Sequence, residues 1–138
     1  MGDNSRLQGS SWGVHSYTGA ADYSTSTTYG GCGVRISADQ TVTLCNTADS
    51  TCNGVIIGCN ADATNLQVAV QEHGWCLAKA QAAIAINAEV ACGTTGAFLT
   101  ANATNSYIIG RARTTASTTG DLFELVINPY ARGTIATS

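Results

Sequence analysis

The chain has 138 residues, enough for one domain with a real core, and its formal net charge at pH 7 is −3. Only 11% of the residues are charged, against about 25% in ordinary globular proteins, which indicates a surface rich in Thr, Ser, Asn, Ala and Gly. The few basic residues form no stripe that would bind nucleic acid, and no apolar run reaches the ~18 residues of a membrane-spanning helix.

Residues 1–31 have almost no apolar periodicity, yet they contain widely spaced aromatic side chains. Disordered linkers are poor in aromatics, so we expect an extended N-terminal arm that becomes ordered on a neighbouring protein. Its candidate anchors are Trp12, Tyr17, Tyr23 and Tyr29. The alternative is that part of this segment forms an early strand of the domain itself. The N-terminus also lacks the basic and apolar regions of a secretory signal, which predicts synthesis in the cytoplasm without a signal peptide.

From Cys32 onward the pattern is all β, and residues 32–129 form the predicted domain. Short β-branched or alternating runs are separated by polar, turn-forming stretches. The predicted strands are 33–36, 41–45, 55–57, 66–70, 97–99 and 121–128. Residues 77–91 are rich in alanine, and for them we predict a strand, one helical turn over 82–86, and a second strand. The last strand is expected to stop at Pro129, and residues 130–138 form a short tail.

A weak internal repeat is visible in two copies of one phrase. Ile56-Ile57-Gly58 and Ile108-Ile109-Gly110 are each followed by a polar run and then by an alternating apolar segment. Large side chains at every second position lie on one face of a strand. Gly74 and Trp75 mark a bend between the two copies.

The six cysteines are an even number, as in oxidised extracellular scaffolds. The disulfide candidates are Cys32, Cys45, Cys52, Cys59, Cys76 and Cys92. A bond between Cys45 and Cys52 would close the polar loop between them, and oxidation would follow release from the lysed cell. Alternatively, the cysteines are small buried apolar residues. We expect no metal site, because the sequence has no C-x-x-C pair and no histidine at a suitable spacing.

Candidate catalytic chemistry is sparse. Cys76 has no obvious histidine base, Asp121 and Glu124 lie on opposite faces of a strand, and no phosphate-binding or dinucleotide motif is present. We therefore expect no catalytic residues, no cofactor and no enzyme activity. A cysteine hydrolase using Cys76 at a lowered pKa is the enzymatic alternative.

Several phrases in chain order resemble the capsid cement, or head decoration, proteins of tailed bacteriophages. They are GVIIG, LQVAVQEHGW, AAIAINAEVAC, GTTGAFLTA, YIIGRA and GDLFELVINP, and together they extend from about Thr41 to Pro129. In that family a glycine stands near the position of Asn87, and a Gly-Asp pair stands near Ala88-Glu89. Asparagine tolerates the left-handed backbone that such a glycine adopts.

The resemblance implies a small β-barrel or β-tulip domain, commonly a homotrimer, on the outer capsid surface of the virion. There it would bind the major capsid protein and cement capsomers together, stabilising the DNA-filled head. The N-terminal arm would contact the shell or neighbouring decoration subunits. Two alternatives remain, a minor tail protein and a host-surface or glycan-binding module that stacks Trp12 and Trp75 on sugars.

Overall fold

A computed structural model describes residues 13–23, 25–46, 51–59, 66–101 and 107–131. Within these ranges the chain forms ten β-strands and one helical turn, which confirms the predicted all-β class. The elements are β1 (Val14–Gly19), α1 (Ser26–Tyr29), β2 (Gly33–Ala38), β3 (Thr41–Leu44), β4 (Gly54–Cys59), β5 (Gln67–Gln71), β6 (Gly74–Lys79), β7 (Glu89–Cys92), β8 (Phe98–Thr100), β9 (Tyr107–Ala112) and β10 (Leu122–Ala131).

The first half of the fold, β1 to β5, is a closed barrel with the strand order β1-β3-β2-β4-β5. It closes because β1 pairs with β3 in parallel and with β5 antiparallel. The barrel interior is filled mainly by β-branched side chains, whose shape suits a pleated surface. These buried residues are Tyr23, Val34, Val42, Ile56, Val68 and Val70.

The second half, β6 to β10, is a five-stranded sheet with the order β6-β10-β9-β7-β8. A parallel bridge between Ala80 and Phe98 links the two outer strands. The larger core cluster of the protein lies here, around Phe98 and Phe123, whose rings meet edge to face at 6.5 Å between centroids. Val55 and Ile57 of β4 belong to the same cluster, so one continuous core joins the two halves.

The two halves are copies of one arrangement, since each strand of the first corresponds to the strand five places later. The pairing register repeats with a constant offset: Val34 lies opposite Leu44 between β2 and β3, and Val90 lies opposite Thr100 between β7 and β8, 56 residues later in both strands. The parallel bridge from Ala80 to Phe98 repeats the pairing of Gly19 with Val42. The fold is therefore a tandem structural repeat.

Backbone details repeat as well. Left-handed backbone conformations occur in matching pairs at Gly13 (φ 81°) and Gly74 (φ 84°), Gly31 (φ 88°) and Asn87 (φ 67°), and Gln40 (φ 55°) and Gly96 (φ 83°). Turn hydrogen bonds match too: Cys32 N donates to Tyr29 O at 3.1 Å, and Ala88 N donates to Ala85 O at 3.2 Å. The left-handed conformation expected of Asn87 is thus confirmed, and its counterpart in the first half is a glycine.

The predicted repeat exists, but the phrases that suggested it are not structurally equivalent. Register places Gly54 opposite Val34 and Gly110 opposite Val90, so these two glycines correspond, and the two Ile-Ile-Gly phrases are displaced by four residues. Both glycines allow a close backbone approach. A Cβ on Gly54 would lie 2.6 Å from the carbonyl oxygen of Gln71, and one on Gly110 would overlap that of Val126. Because the two Ile-Ile-Gly phrases are displaced by four residues, an even number, their side chains keep the same alternation between the two faces of the sheet.

The N-terminal arm predicted for residues 1–31 is wrong where the structure describes this segment. Val14–Gly19 is the strand that closes the barrel, and α1 packs against β4. The alternative, an early strand of the domain, is the correct interpretation for these residues. Sequence periodicity missed β1 because the strand does not alternate between apolar and polar residues: the consecutive residues His15 and Ser16 are both polar and exposed. Residues 1–12 lie outside the described ranges.

Two further boundaries also require correction. The helical turn predicted over 82–86 is absent, because the backbone of Ile84 is extended and exchanges two hydrogen bonds of 3.0 Å with Ala116. A helical turn does occur at the equivalent place in the first half, α1. The last strand does not stop at Pro129, since β10 continues to Ala131 through a register shift between Ile127 and Tyr130. Such an irregularity accommodates a residue that lacks an N–H donor.

Among the described residues, no helix has the length and apolar character needed to cross a bilayer.

Candidate functional site

Three of the four predicted arm anchors pack on their own barrel. Tyr23 is only 6% exposed and meets the ring of Tyr29 at 5.1 Å between centroids. Tyr29 and Tyr17 are partly buried against the same core. The prediction that Tyr23 anchors an arm to another protein is therefore wrong, and the other two are largely committed to the barrel. Trp12 lies outside the described residues, so its role stays a prediction.

Most of the exposed large apolar side chains in the described chain lie on the second half. Four of the five exposed large apolar side chains in the described chain belong to this half: Ile86, Tyr107, Leu122 and Val126. Strand pairing places Val126 beside Trp75 on one side and Arg111 on the other, and places Leu77 beside Glu124. We define the outer face of the second half by the outward side chains of β6, β10 and the end of β9: Trp75, Leu77, Arg111, Arg113, Leu122, Glu124 and Val126.

Charged groups fix the geometry of this outer face. The guanidinium of Arg113 lies 4.8 Å from the centroid of the Trp75 ring, and its Nε donates to Glu124 Oε1 at 2.8 Å. Arg111 forms a second ion pair with Glu89 at 3.7 Å. The face is therefore an apolar stripe with charges held along it, a composition typical of protein-binding surfaces.

One end of the corresponding face of the first half is covered. Val55 and Gln71, which pair with each other as Arg111 and Val126 do, are completely buried. Val14, at the position that Trp75 has in the second half, packs against the core shared with the second half. Other positions of this face in the first half, among them Ser16 and Gln67, are exposed. The end of the face that is exposed at Arg111 and Val126 is thus buried in the other copy.

A second candidate site is a group of three buried thiols. Cys45 follows β3, Cys52 precedes β4, and Cys92 ends β7 in the second half. Their Sγ atoms all lie within 4.8 Å of one another. We call these three residues the cysteine triad. It lies at the seam where the halves pack, within the shared core.

Hydrogen bonding within the triad shifts the pKa values of its three thiols in different directions. Bonds from Cys52 and Cys92 lower the pKa of Cys45 to about 5, against the opposing effect of burial, and Arg35 adds a smaller lowering. The pKa of Cys52 is raised, first by its hydrogen bond to Cys45. The bond to Cys45 likewise raises the pKa of Cys92.

Cys32 and Cys76, the other cysteines whose side chains the structure describes, do not join this group. Cys76 is completely buried in β6, and burial raises its pKa to about 12, which makes it a poor nucleophile. The alternative of a hydrolase using Cys76 at a lowered pKa is therefore wrong. Cys32 is buried, and its Sγ lies 3.6 Å from the carbonyl oxygen of Thr28. The side chain of Cys59 lies outside the described part. The five described cysteines are free thiols, and the predicted disulfides stay predictions.

Sequence analysis had proposed a link between Cys45 and Cys52, and the structure does bring these two thiols together. It did not predict that Cys92 joins them, because 40 residues and a change of half separate Cys92 from Cys52. The pairing of β7 with β9 and β8, which positions Cys92, leaves no local spacing signal. The outer face was also missed, because alternation in β6 and β10 does not tell which face becomes covered.

Comparisons with known proteins agree with this architecture. No protein-family model and no curated protein sequence matches the chain. Among solved structures, the chain is similar to the N base of the head fibre protein gp8.5 of bacteriophage phi29, with a TM-score of 0.61 and 14% sequence identity. The similarity covers 83% of this chain and 92% of that one. At this identity the likeness shows that the two proteins share a fold.

Proposed function

We propose that the chain is a structural, non-enzymatic virion protein of a tailed bacteriophage that associates with the head. The single observation that supports this most strongly is the fold shared with a phage head fibre base over 83% of this chain and 92% of that one. The resemblance of its sequence phrases to head decoration proteins supports the same class independently. Low charge and a β-rich, Thr-containing surface suit broad contact with other proteins.

In its finer form, the proposal is a cement protein on the outer capsid surface, bound to the major capsid protein as a homotrimer. The outer face of the second half is the proposed contact surface, and the capsid shell is its occupant. Leu122 and Val126, 44% and 39% exposed, supply apolar area there. The ion pairs of Arg111 and Arg113 supply fixed charges that select register and partner. The N-terminal segment with Trp12 is a second proposed contact, to the shell or to neighbouring decoration subunits.

The first experiment is co-sedimentation of the purified protein with expanded capsids of the phage that encodes it. Saturable binding supports a head-associated role. Val126→Glu should abolish or strongly weaken that binding, because it places a carboxylate in the apolar stripe. Ile36→Glu is the matched control, since Ile36 is also a strand residue, is 44% exposed, and lies on the first half. Equal loss in both variants, or in neither, contradicts the assignment of the outer face.

Two further measurements address the finer claims. Deleting residues 2–12 removes no residue of the described barrel, so unchanged capsid affinity of this variant would refute the N-terminal contact. Light scattering on the free protein should report a trimer, and a monomer at binding concentrations contradicts the proposed oligomer. Failure of the wild type to bind capsids, combined with binding to tails or to host cells, would assign the protein to one of the alternatives.

A further inference from the structure

We propose that the cysteine triad is a binding site for a thiophilic divalent cation, Zn²⁺, which joins the two halves of the repeat. Three thiolate ligands at a Zn–S distance of about 2.3 Å in tetrahedral geometry stand roughly 3.8 Å apart. The Sγ atoms of Cys45, Cys52 and Cys92 already lie within 4.8 Å of one another, so small side-chain adjustments bring all three onto one ion.

The number of thiols favours a cation over a disulfide. Any disulfide within the triad consumes two sulfurs and leaves the third in contact with the bond, where it can exchange. A metal ion uses all three at once. Soft thiolate ligands select zinc and other thiophilic metals over hard cations.

Burial and location are consistent with a structural site. The three cysteines are between 0% and 6% exposed, as expected for zinc sites that stabilise folds. Each Sγ now lies 3.5 to 3.6 Å from a backbone carbonyl oxygen, those of Thr51, Gly54 and Gly93.

The triad occurs at the contact between the two halves and is not repeated with the rest of the fold. Under the register of the repeat, the positions equivalent to Cys45 and Cys52 are Ala101 and Ile108, and the position equivalent to Cys92 is Ile36. No second copy of the cluster therefore exists in the described part of the fold. Two ligands come from the first half and one from the second, so a bound ion restrains the halves relative to each other.

The test uses the full chain, purified with reductant and dialysed against Zn²⁺ and then against metal-free buffer. We expect one retained zinc per chain by elemental analysis. Substitution by Co²⁺ should give a thiolate-to-cobalt charge-transfer band, which arises only when sulfur is a ligand. Absence of retained zinc together with absence of the band overturns the proposal, and so does a mapped disulfide within the triad of protein kept under reductant.

Variants identify the ligands. Cys92→Ala should lose both the retained zinc and the charge-transfer band. Cys76→Ala is the matched control, because Cys76 is buried in the same core but lies outside the triad, and this variant should keep both. The reverse pattern overturns the assignment. Should Cys92→Ala fail to fold, the wild-type zinc count and cobalt spectrum still decide the question.

Discussion

The two halves share strand order, register and turn conformations, yet they differ in the burial of one end of one sheet face. In the first half this end holds Val55 and Gln71, which are completely buried, and Val55 belongs to the core shared with the second half. In the second half the same positions hold Arg111 and Val126 and are exposed. A repeated fold thus buries this region in one copy and leaves it exposed in the other. Sequence at these positions, more than backbone geometry, distinguishes the two uses.

The largest expected effect comes from deleting core aromatic volume in the second half. Phe98 and its first-half counterpart Val42 are both completely buried. Phe98→Ala should lower the free energy of unfolding by about 3–5 kcal/mol, whereas Val42→Ala removes two methyl groups and should cost about 2 kcal/mol. Urea denaturation measures both. Because one core spans the halves, each variant should unfold in a single transition, and two separate transitions would mean that the halves are independent.

A smaller but still large loss of stability is expected when a methyl group is added at the glycine that lies close to a neighbouring backbone in each half. Gly110→Ala places a methyl group against the carbonyl oxygen of Val126 and should destabilise the protein by about 3 kcal/mol. Gly54→Ala should behave similarly because it meets Gln71 O. Gly120→Ala is the control: its φ is 90°, but nothing lies within 4 Å, so only backbone strain of about 1 kcal/mol applies. Equal midpoints of thermal unfolding for Gly110→Ala and Gly120→Ala would contradict this comparison.

A titration effect should be confined to the first half. Glu72 Oε2 accepts a hydrogen bond from Tyr17 OH at 2.6 Å and lies 3.0 Å from His15 Nδ1. The hydrogen bond to this carboxylate, with smaller contributions from burial and charge, raises the pKa of Tyr17 to about 12. The equivalent positions in the second half, Ala78 and Ile127, have no such pair.

Since the folded pKa of Tyr17 exceeds its ordinary value of 10, its contribution to stability is complete below pH 10 and is lost as the pH rises towards 12. Absorbance titration should show one tyrosine with a pKa near 12. Glu72→Gln should return that pKa towards 10 and should flatten the decline of stability over this range. Tyr17→Phe is the control, since it removes the titrating hydroxyl and leaves Glu72 in place. An unchanged titration curve in Glu72→Gln would refute the link.

The smallest expected effect is on the exposed face of the second half. Arg113→Ala removes both the ion pair with Glu124 and the contact with Trp75, and should cost at most about 1 kcal/mol because these groups are partly solvated. A double-mutant cycle with Glu124→Gln separates the two contacts. A cost of several kcal/mol would mean that this face supports the fold and does not serve mainly as a surface for a partner.

Sequence reasoning was reliable where side chains alternate strictly. Val34, Val42, Val68 and Leu125 all point inward from strands that alternation predicted. It failed where distant pairing decides the structure. Ile84 is extended because it bridges Ala116, against the helical preference of the alanines around it. β1 is a strand because β3 and β5 complete its hydrogen bonds, which no local pattern reveals.

For the candidate sites too, local patterns could be predicted from the sequence, whereas contacts between distant segments could not. The repeat was detectable from two phrases, but its register was recoverable only from strand pairing, because the phrases are displaced by four residues. Cys45 and Cys52 were associated through the loop between them, whereas Cys92 reaches them through tertiary packing alone. Trp75 could be singled out from the sequence. Its contact with Arg113 could not, because Arg113 lies far along the chain, just after β9.

The closure of the first barrel has a consequence for how the chain folds. Val14 pairs with Gln71, so the earliest strand must wait for a partner made 57 residues later before its hydrogen bonds are complete. Until then β1 has no antiparallel neighbour. Its parallel pairing with β3 joins only Thr18 to Thr41 and Gly19 to Val42, so this pairing alone holds β1 weakly. Folding dominated by such distant pairings is slow, on the order of milliseconds to seconds for small β domains. During synthesis, the ribosome must therefore release most of the first repeat before that barrel can form.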